Sequence, residues 1–129
     1  MDRRNFLRAA TIPAAAAMAT PVVAQEGAGE TVTVAVGPGG ALVYEPGTDA
    51  PLEVLPGTTV EFVWESDNHN IVVEAQPEAA NWEGHEPLEN TGFTYEHTFE
   101  TLGTYEYYCE PHRSAGMVAT IEVVEELSV

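Results

Sequence analysis

Gly103-Thr104-Tyr105-Glu106-Tyr107-Tyr108-Cys109, then Glu110-Pro111-His112-Arg113-Ser114-Ala115-Gly116, then Met117-Val118-Ala119-Thr120-Ile121-Glu122-Val123 reads as strand, loop, strand. Aromatic and β-branched residues flank a loop built from Pro, Ser and Gly, the pattern of two strands joined by a turn. In the second run Ala119, Ile121 and Val123 alternate with Val118, Thr120 and Glu122, so one face is apolar. The loop carries a thiol, an imidazole and a thioether at Cys109, His112 and Met117. Pro111 stiffens the turn and withholds a backbone donor. Gly116 permits the close bend before Met117.

Upstream the pattern repeats. Short β-branched or aromatic runs at 31–36, 41–45, 52–55, 58–65 and 70–75 are separated by Gly37-Pro38-Gly39-Gly40, Pro46-Gly47 and Pro56-Gly57. Val60, Phe62 and Trp64 share one face of their run, and Phe93, Tyr95, His97 and Phe99 share one face of a later one. Residues 76–91 read as a long polar connection. No stretch of the body shows a 3.6-residue period. About eight short strands with Pro-Gly turns predict an all-β sandwich, one domain over 31–129.

The N-terminus reads as an address. Arg3-Arg4-Asn5-Phe6-Leu7-Arg8 is a twin-arginine signature, followed by an Ala-rich apolar run from Ala9 to about Ala19. The run is shorter than the roughly 20 apolar residues of a spanning helix, and Pro13 and Pro21 interrupt it. Residues 1–24 are therefore predicted to be a twin-arginine export signal and 25–30 a short flexible lead. Ala17-Met18-Ala19 and Val22-Val23-Ala24 both offer small-residue exits, the second preferred. The expected destination is extracytoplasmic, at or near the cell membrane.

Charge narrows the partners. The 129 residues hold 21 acids against four Arg and no Lys, a net charge of -17. Without the signal, Arg113 alone faces 20 acids. Nucleic acid is excluded, because phosphate binding needs clustered cations, and an anionic membrane surface is disfavoured for the same reason. Disorder is excluded by a 44% hydrophobic composition with Trp64, Trp82, Phe62 and Phe99 spread through the body. A folded domain with an all-acid surface suits concentrated salt, where the screening length falls to roughly 3 Å at 1 M. An ordinary acidic secreted protein is the alternative.

One constellation carries chemistry. His69, in Asp67-Asn68-His69-Asn70-Ile71, stands on another inter-strand loop. Two His, one Cys and a weak axial Met are the donor set of a blue-copper electron-transfer centre. Thiolate and thioether favour Cu(I), while imidazole serves both oxidation states, so a mixed set held in one geometry need move little when an electron passes. Zinc would accept Cys and two His but usually takes a harder or thiolate fourth ligand. Cys109 is the sole cysteine, so no intramolecular disulfide competes for it.

From about Thr31 to Val124 the sequence resembles the cupredoxins, specifically the plastocyanin group and, within it, the halocyanins of salt-loving archaea. The resemblance is carried by Gly-Pro-Gly-Gly-Ala-Leu (37–42), Pro-Gly-Thr-Thr-Val-Glu-Phe (56–62), His69-Asn70-Ile71-Val72, the run 93–99, and Gly103 through Met117. It implies a cupredoxin-like Greek-key β-sandwich in which His69, Cys109, His112 and Met117 bind one type-1 copper. It implies that Asn70 ties the two ligand loops together and quiets the thiolate. It implies that Gly40, Leu42, Pro111 and Ala115 form an apolar patch around the exposed edge of His112. Halocyanins often carry a lipobox Cys and this chain has none, which leaves membrane association open.

The other candidates read as structural. His97 falls on an inward face as a core or edge histidine. His85, in the long connection beside Trp82, reads as surface. Tyr105 and Tyr108 read as packing, with a second electron route as the alternative. Arg113 either orients an acidic partner or offsets the field near the site. The expected function is a small exported one-electron carrier between redox proteins, monomeric, with no small-molecule substrate and no enzymatic activity. A copper storage or delivery protein is the alternative, although delivery sites favour exposed ligands. An oxidase would need more His than the two left over, and a metal-free adhesion sandwich leaves the donor coincidence unexplained.

The charge reading makes a prediction. The thermal midpoint of the domain rises between low and molar salt; a midpoint that stays put removes the salt-adaptation idea.

Overall fold

Strand alternation decides which side chains meet. The computed structural model describes residues 29–128 and the backbone of Val22–Val23. The predicted signal and lead lie outside the described residues, apart from Val22–Val23 and Gly29-Glu30. In chain order the strands are β1 (Val22–Val23), β2 (Thr31–Val36), β3 (Tyr44–Glu45), β4 (Leu52–Val54), β5 (Thr58–Trp64), β6 (His69–Ala75), β7 (His85–Glu89), β8 (Thr94–Phe99), β9 (Gly103–Tyr108) and β10 (Val118–Val123). Short 3-10 turns occupy Pro38–Gly40 and Glu110–Ala115.

The strands form two sheets, β1-β4-β10-β9-β6-β7 and β3-β2-β5-β8. Along β5 the even-numbered residues Thr58, Val60, Phe62 and Trp64 are buried and the odd ones are half-exposed. On β10, Ala119, Ile121 and Val123 are buried in the same way. These faces meet Val34, Val36, Tyr44, Ile71, Tyr105 and Tyr107 in one continuous core. The result is the expected all-β sandwich of two sheets.

The strand order fixes one end of the molecule. β6 and β10 both run antiparallel to β9, which lies between them. The start of β6, the end of β9 and the start of β10 therefore fall side by side. Tyr108 is paired with Val72 on one side and Val118 on the other. Whatever the chain places just before β6, just after β9 and just before β10 is thereby gathered together.

The expected polar connection at 76–91 is more than a connection. It contains β7, which pairs with β6 as an edge strand. It also contains Trp82, 3% exposed, whose indole plugs the core. Trp82 packs against Phe99 at 5.0 Å, Tyr107 at 5.4 Å and Phe62 at 6.1 Å between ring centroids. Its Nε1–H donates to Tyr95 Oη (2.9 Å), and the Gln76 amide holds its backbone on both sides, at 2.9 and 3.1 Å. The expected strand at 41–45 is shorter than anticipated. The 3-10 turn takes up the preceding residues, with Ala41 N–H donating to the Pro38 carbonyl at 2.9 Å, and only Tyr44–Glu45 pair with β2. His85 is not a surface loop residue. It sits on β7 against Phe93, Tyr95 and Trp64, with Nε2 2.8 Å from Glu89 Oε2. His97 is half-buried against Trp82 and Phe99, as expected, and burial holds its pKa below the usual imidazole value.

Trp82→Ala empties the centre of this aromatic cluster and is expected to lower unfolding stability by about 3–5 kcal/mol. Leu102→Ala, at an exposed apolar position, is expected to change it by no more than about 0.5 kcal/mol. Urea titration of the two variants checks both values.

Candidate metal centre

The three strand ends described above deliver the donors. His69 opens β6, Cys109 follows the last residue of β9, and Met117 precedes β10. Between Cys109 and Met117 the chain makes the Glu110–Ala115 turn, with Pro111 near its start and Gly116 at its end in the left-handed region (φ 95°). The turn closes on itself. His112 N–H donates to the Cys109 carbonyl (3.2 Å), Gly116 N–H to Arg113 (2.9 Å), and Cys109 N–H to Met117 (3.0 Å). The sharp reversal returns the chain to the sheet it left, so residues 112 and 117 stay beside 109.

His69, Cys109 and His112 converge, with one ligand atom from each lying within 4.8 Å of the others. Cys109 Sγ is 3.6 Å from His69 Nδ1 and 3.4 Å from His112 Nδ1. The two imidazole rings are 4.9 Å apart at a 55° tilt. Cys109 is wholly buried, His69 is 1% exposed, and His112 is half-buried. Met117 is fully buried at the same end, its N–H on the His112 carbonyl at 3.3 Å. Leu42 is half-buried, and Gly40, Pro111 and Ala115 are exposed.

Around the donors the backbone is tied down. Asn70 Oδ1 accepts the Glu110 N–H (2.8 Å) and Asn70 Nδ2 donates to the Glu86 carbonyl (2.8 Å), joining β6, β7 and the ligand loop. Trp64 Nε1–H donates to the His69 carbonyl (2.9 Å) and Tyr44 Oη–H to the Asn70 carbonyl (2.5 Å), so the opposite sheet holds the start of β6. Burial pushes the Cys109 thiol up, while the backbone N–H groups of Asn70 and His112 draw it back toward the thiolate. Burial, then the neighbouring His112, hold His69 below the usual imidazole value, which keeps it neutral and able to donate a lone pair.

Arg113 has a local role that its sequence position did not reveal. It makes two 2.8 Å bonds to the Glu74 carboxylate on β6. Its guanidinium lies 4.2 Å from the centroid of the Tyr108 ring. Tyr105 is packing, buried and donating to the Thr101 carbonyl at 2.7 Å. A partner 39 residues away leaves no mark in local sequence, which is why Glu74 was not found from the pattern.

A soft sulfur and two imidazole nitrogens at this spacing fit one copper ion. Two sheets closing over such a group on strand-end loops define the cupredoxin class. The chain belongs to the family described as "Copper binding proteins, plastocyanin/azurin family", which matches residues 24–124. It is 43% identical over 99 residues to the plastocyanin of Scenedesmus fuscus, an alignment covering 71% of this chain and 98% of that one. It is 33% identical over 101 residues to the halocyanin of Natronomonas pharaonis, covering 77% of this chain and 59% of the halocyanin. Among solved structures, the pseudoazurin from Sinorhizobium meliltoi superposes with a TM-score of 0.59 at 30% identity, covering 74% of this chain and 75% of that one.

The two sets of ties should differ in weight. Asn70→Ala strands the Glu110 N–H and the Glu86 carbonyl and is expected to cost about 1–3 kcal/mol. Arg113→Ala breaks an exposed pair and is expected to cost about 0–1 kcal/mol. Chemical denaturation of the metal-free variants ranks them; equal losses would contradict the assignment of Asn70 as the tie between the loops.

Proposed function

We propose that this protein is an exported one-electron carrier in which His69, Cys109, His112 and Met117 hold a type-1 copper. The observation that carries the reading is the approach of two imidazole Nδ1 atoms to within 4 Å of a wholly buried cysteine sulfur, on strand ends braced from both sheets. A bound copper ion there supplies a Cu(I)/Cu(II) couple. The chain's own residues supply the rest. Cys109, as thiolate, and the imidazoles of His69 and His112 would hold the ion as one fixed set of donors, with the thioether of Met117, buried at the same end of the sandwich, as the weak fourth donor. Asn70, Trp64 and Tyr44 keep the backbone of those donors from shifting, which suits rapid electron exchange because little must reorganise.

Half-buried His112, beside exposed Pro111 on the ligand loop, is the exit through which electrons reach redox partner proteins. Burial of Cys109, His69 and Met117 supports partners that are proteins exchanging electrons rather than small substrates reaching the donors. The twin-arginine signature at residues 3–8 supports export to the outer side of the cell membrane, and the acidic surface supports a monomer. Plastocyanin and halocyanin relatives support the carrier role over storage or delivery.

Visible absorption tests this. Wild-type protein given Cu(II) is expected to develop an intense thiolate-to-copper band that a reductant bleaches and an oxidant restores. Cys109→Ser is expected to fold and to lose the band. A colourless wild type, or copper that a mild chelator strips from the reduced protein, would overturn the carrier reading in favour of delivery.

A further inference from the structure

Ser66 stands in the turn between β5 and β6, three residues before His69. Its Oγ lies 2.8 Å from His69 Nε2 and 2.8 Å from the carbonyl oxygen of Gly37. A hydroxyl has one proton, and a backbone carbonyl can only accept. The Ser66 proton is committed to Gly37, so toward His69 the oxygen can only accept. The proton of that second bond therefore comes from the ring and resides on Nε2. A neutral imidazole has one N–H, so Nδ1, the atom 3.6 Å from Cys109 Sγ, keeps a bare lone pair.

Two further observations show that this arrangement is built in. Gly37 follows β2 with φ 70°, and a Cβ there would lie 2.5 Å from His69 Nε2 and collide with Ser66 Oγ. The backbone of that turn thus packs directly on the polar edge of the ring, and only glycine fits. The turn bearing Ser66 is pinned from the other side. Thr91 donates its N–H and its hydroxyl to Asp67 Oδ1, both at 2.9 Å. Asn68, in the left-handed region at φ 71°, donates its N–H to the Glu89 carbonyl (2.9 Å) and to Asn90 Oδ1 (3.1 Å). Ser66 is not free to swing away. Among the described residues no side-chain hydroxyl plays this part for His112.

We propose that Ser66 is a positioning residue of the metal centre: its hydroxyl, oriented by the Gly37 carbonyl, fixes His69 as the Nε2–H tautomer and so reserves Nδ1 for the metal. The inference rests on the copper reading given above. It means that a ligand carried by the six-stranded sheet is oriented by a turn of the four-stranded one. Without Ser66 the ring loses its fixed acceptor, and the tautomer with Nδ1–H, which cannot bind the ion, becomes accessible.

Long-range proton–nitrogen correlation spectra of the histidine rings test this on the 15N-labelled protein, metal-free and loaded with Cu(I), beside Cu(II) affinity by chelator competition. Wild-type His69 is expected as Nε2–H in both forms. Ser66→Ala is expected to populate the Nδ1–H form of metal-free His69 and to weaken Cu(II) binding about 10–100-fold. The signals of His85 and His97 should stay in place and report an intact fold. Ser66→Thr, which keeps the hydroxyl, should restore both the tautomer and most of the affinity. Wild-type metal-free His69 with its proton on Nδ1 would overturn the proposal outright, without any variant. Ser66→Ala with unchanged tautomer and affinity would overturn it too. A wild type that shows Nε2–H yet takes up no copper would uphold the hydrogen bond and overturn the copper reading instead.

Discussion

A thiol wholly out of water with two imidazole nitrogens close to its sulfur is a demanding thing for a small domain to hold, because buried polar groups are costly unless each finds a partner. The solution is topological before it is chemical. Three neighbouring antiparallel strands end or begin at the same place, so donors distant in sequence arrive together with no long loop to order. The hydrogen bonds then finish the work, with Cys109 N–H on Met117, Glu110 N–H on Asn70, and the His69 and Asn70 carbonyls on Trp64 and Tyr44. Both sheets contribute, so the donors cannot spread without parting the sandwich. Stability and site geometry are in this sense the same set of contacts.

Much of this was legible because it is periodic or punctuated. The alternation on β5 and β10 announces their buried faces, and the Pro and Gly residues mark the turns. The Cys-x-x-His-x-x-x-x-Met run, with His69 upstream, points to one end of the sandwich. The unread parts share a cause. β7, His85-Glu86-Pro87-Leu88-Glu89, is an edge strand with a proline and exposed side chains, so it has no apolar face to alternate. Trp82 is a single aromatic in a polar stretch, and a lone residue has no period. Its burial comes from Phe62, Phe99 and Tyr107, all far away in sequence. Ser66 was invisible for a related reason, since its meaning lies in Gly37 and His69 at once, and only the fold brings those two together.

Charge is arranged with economy. The body's one arginine is held by Glu74 and Tyr108 at the surface, fastening the ligand loop to β6. Glu53, 5% exposed, is the exception among the acids. Its carboxyl oxygens lie 2.8 Å from the N–H and 3.0 Å from the hydroxyl of Ser128, so the segment after β10 closes over a buried acid. Most of the other described acids are exposed, and their mutual repulsion falls as salt screens it.

That screening has a consequence for β7. An edge strand offers unpaired backbone groups to any other copy of the chain, and one common guard against such pairing is charge. Glu86 and Glu89 provide it here, but concentrated salt would weaken that guard most where the acidic surface is otherwise best suited. Proline at 87 has no N–H to offer a second strand, and that deficiency is covalent. It does not depend on ionic strength. The residue that hid the strand from its sequence pattern is thus a guard against sheet-to-sheet self-assembly that salt cannot switch off.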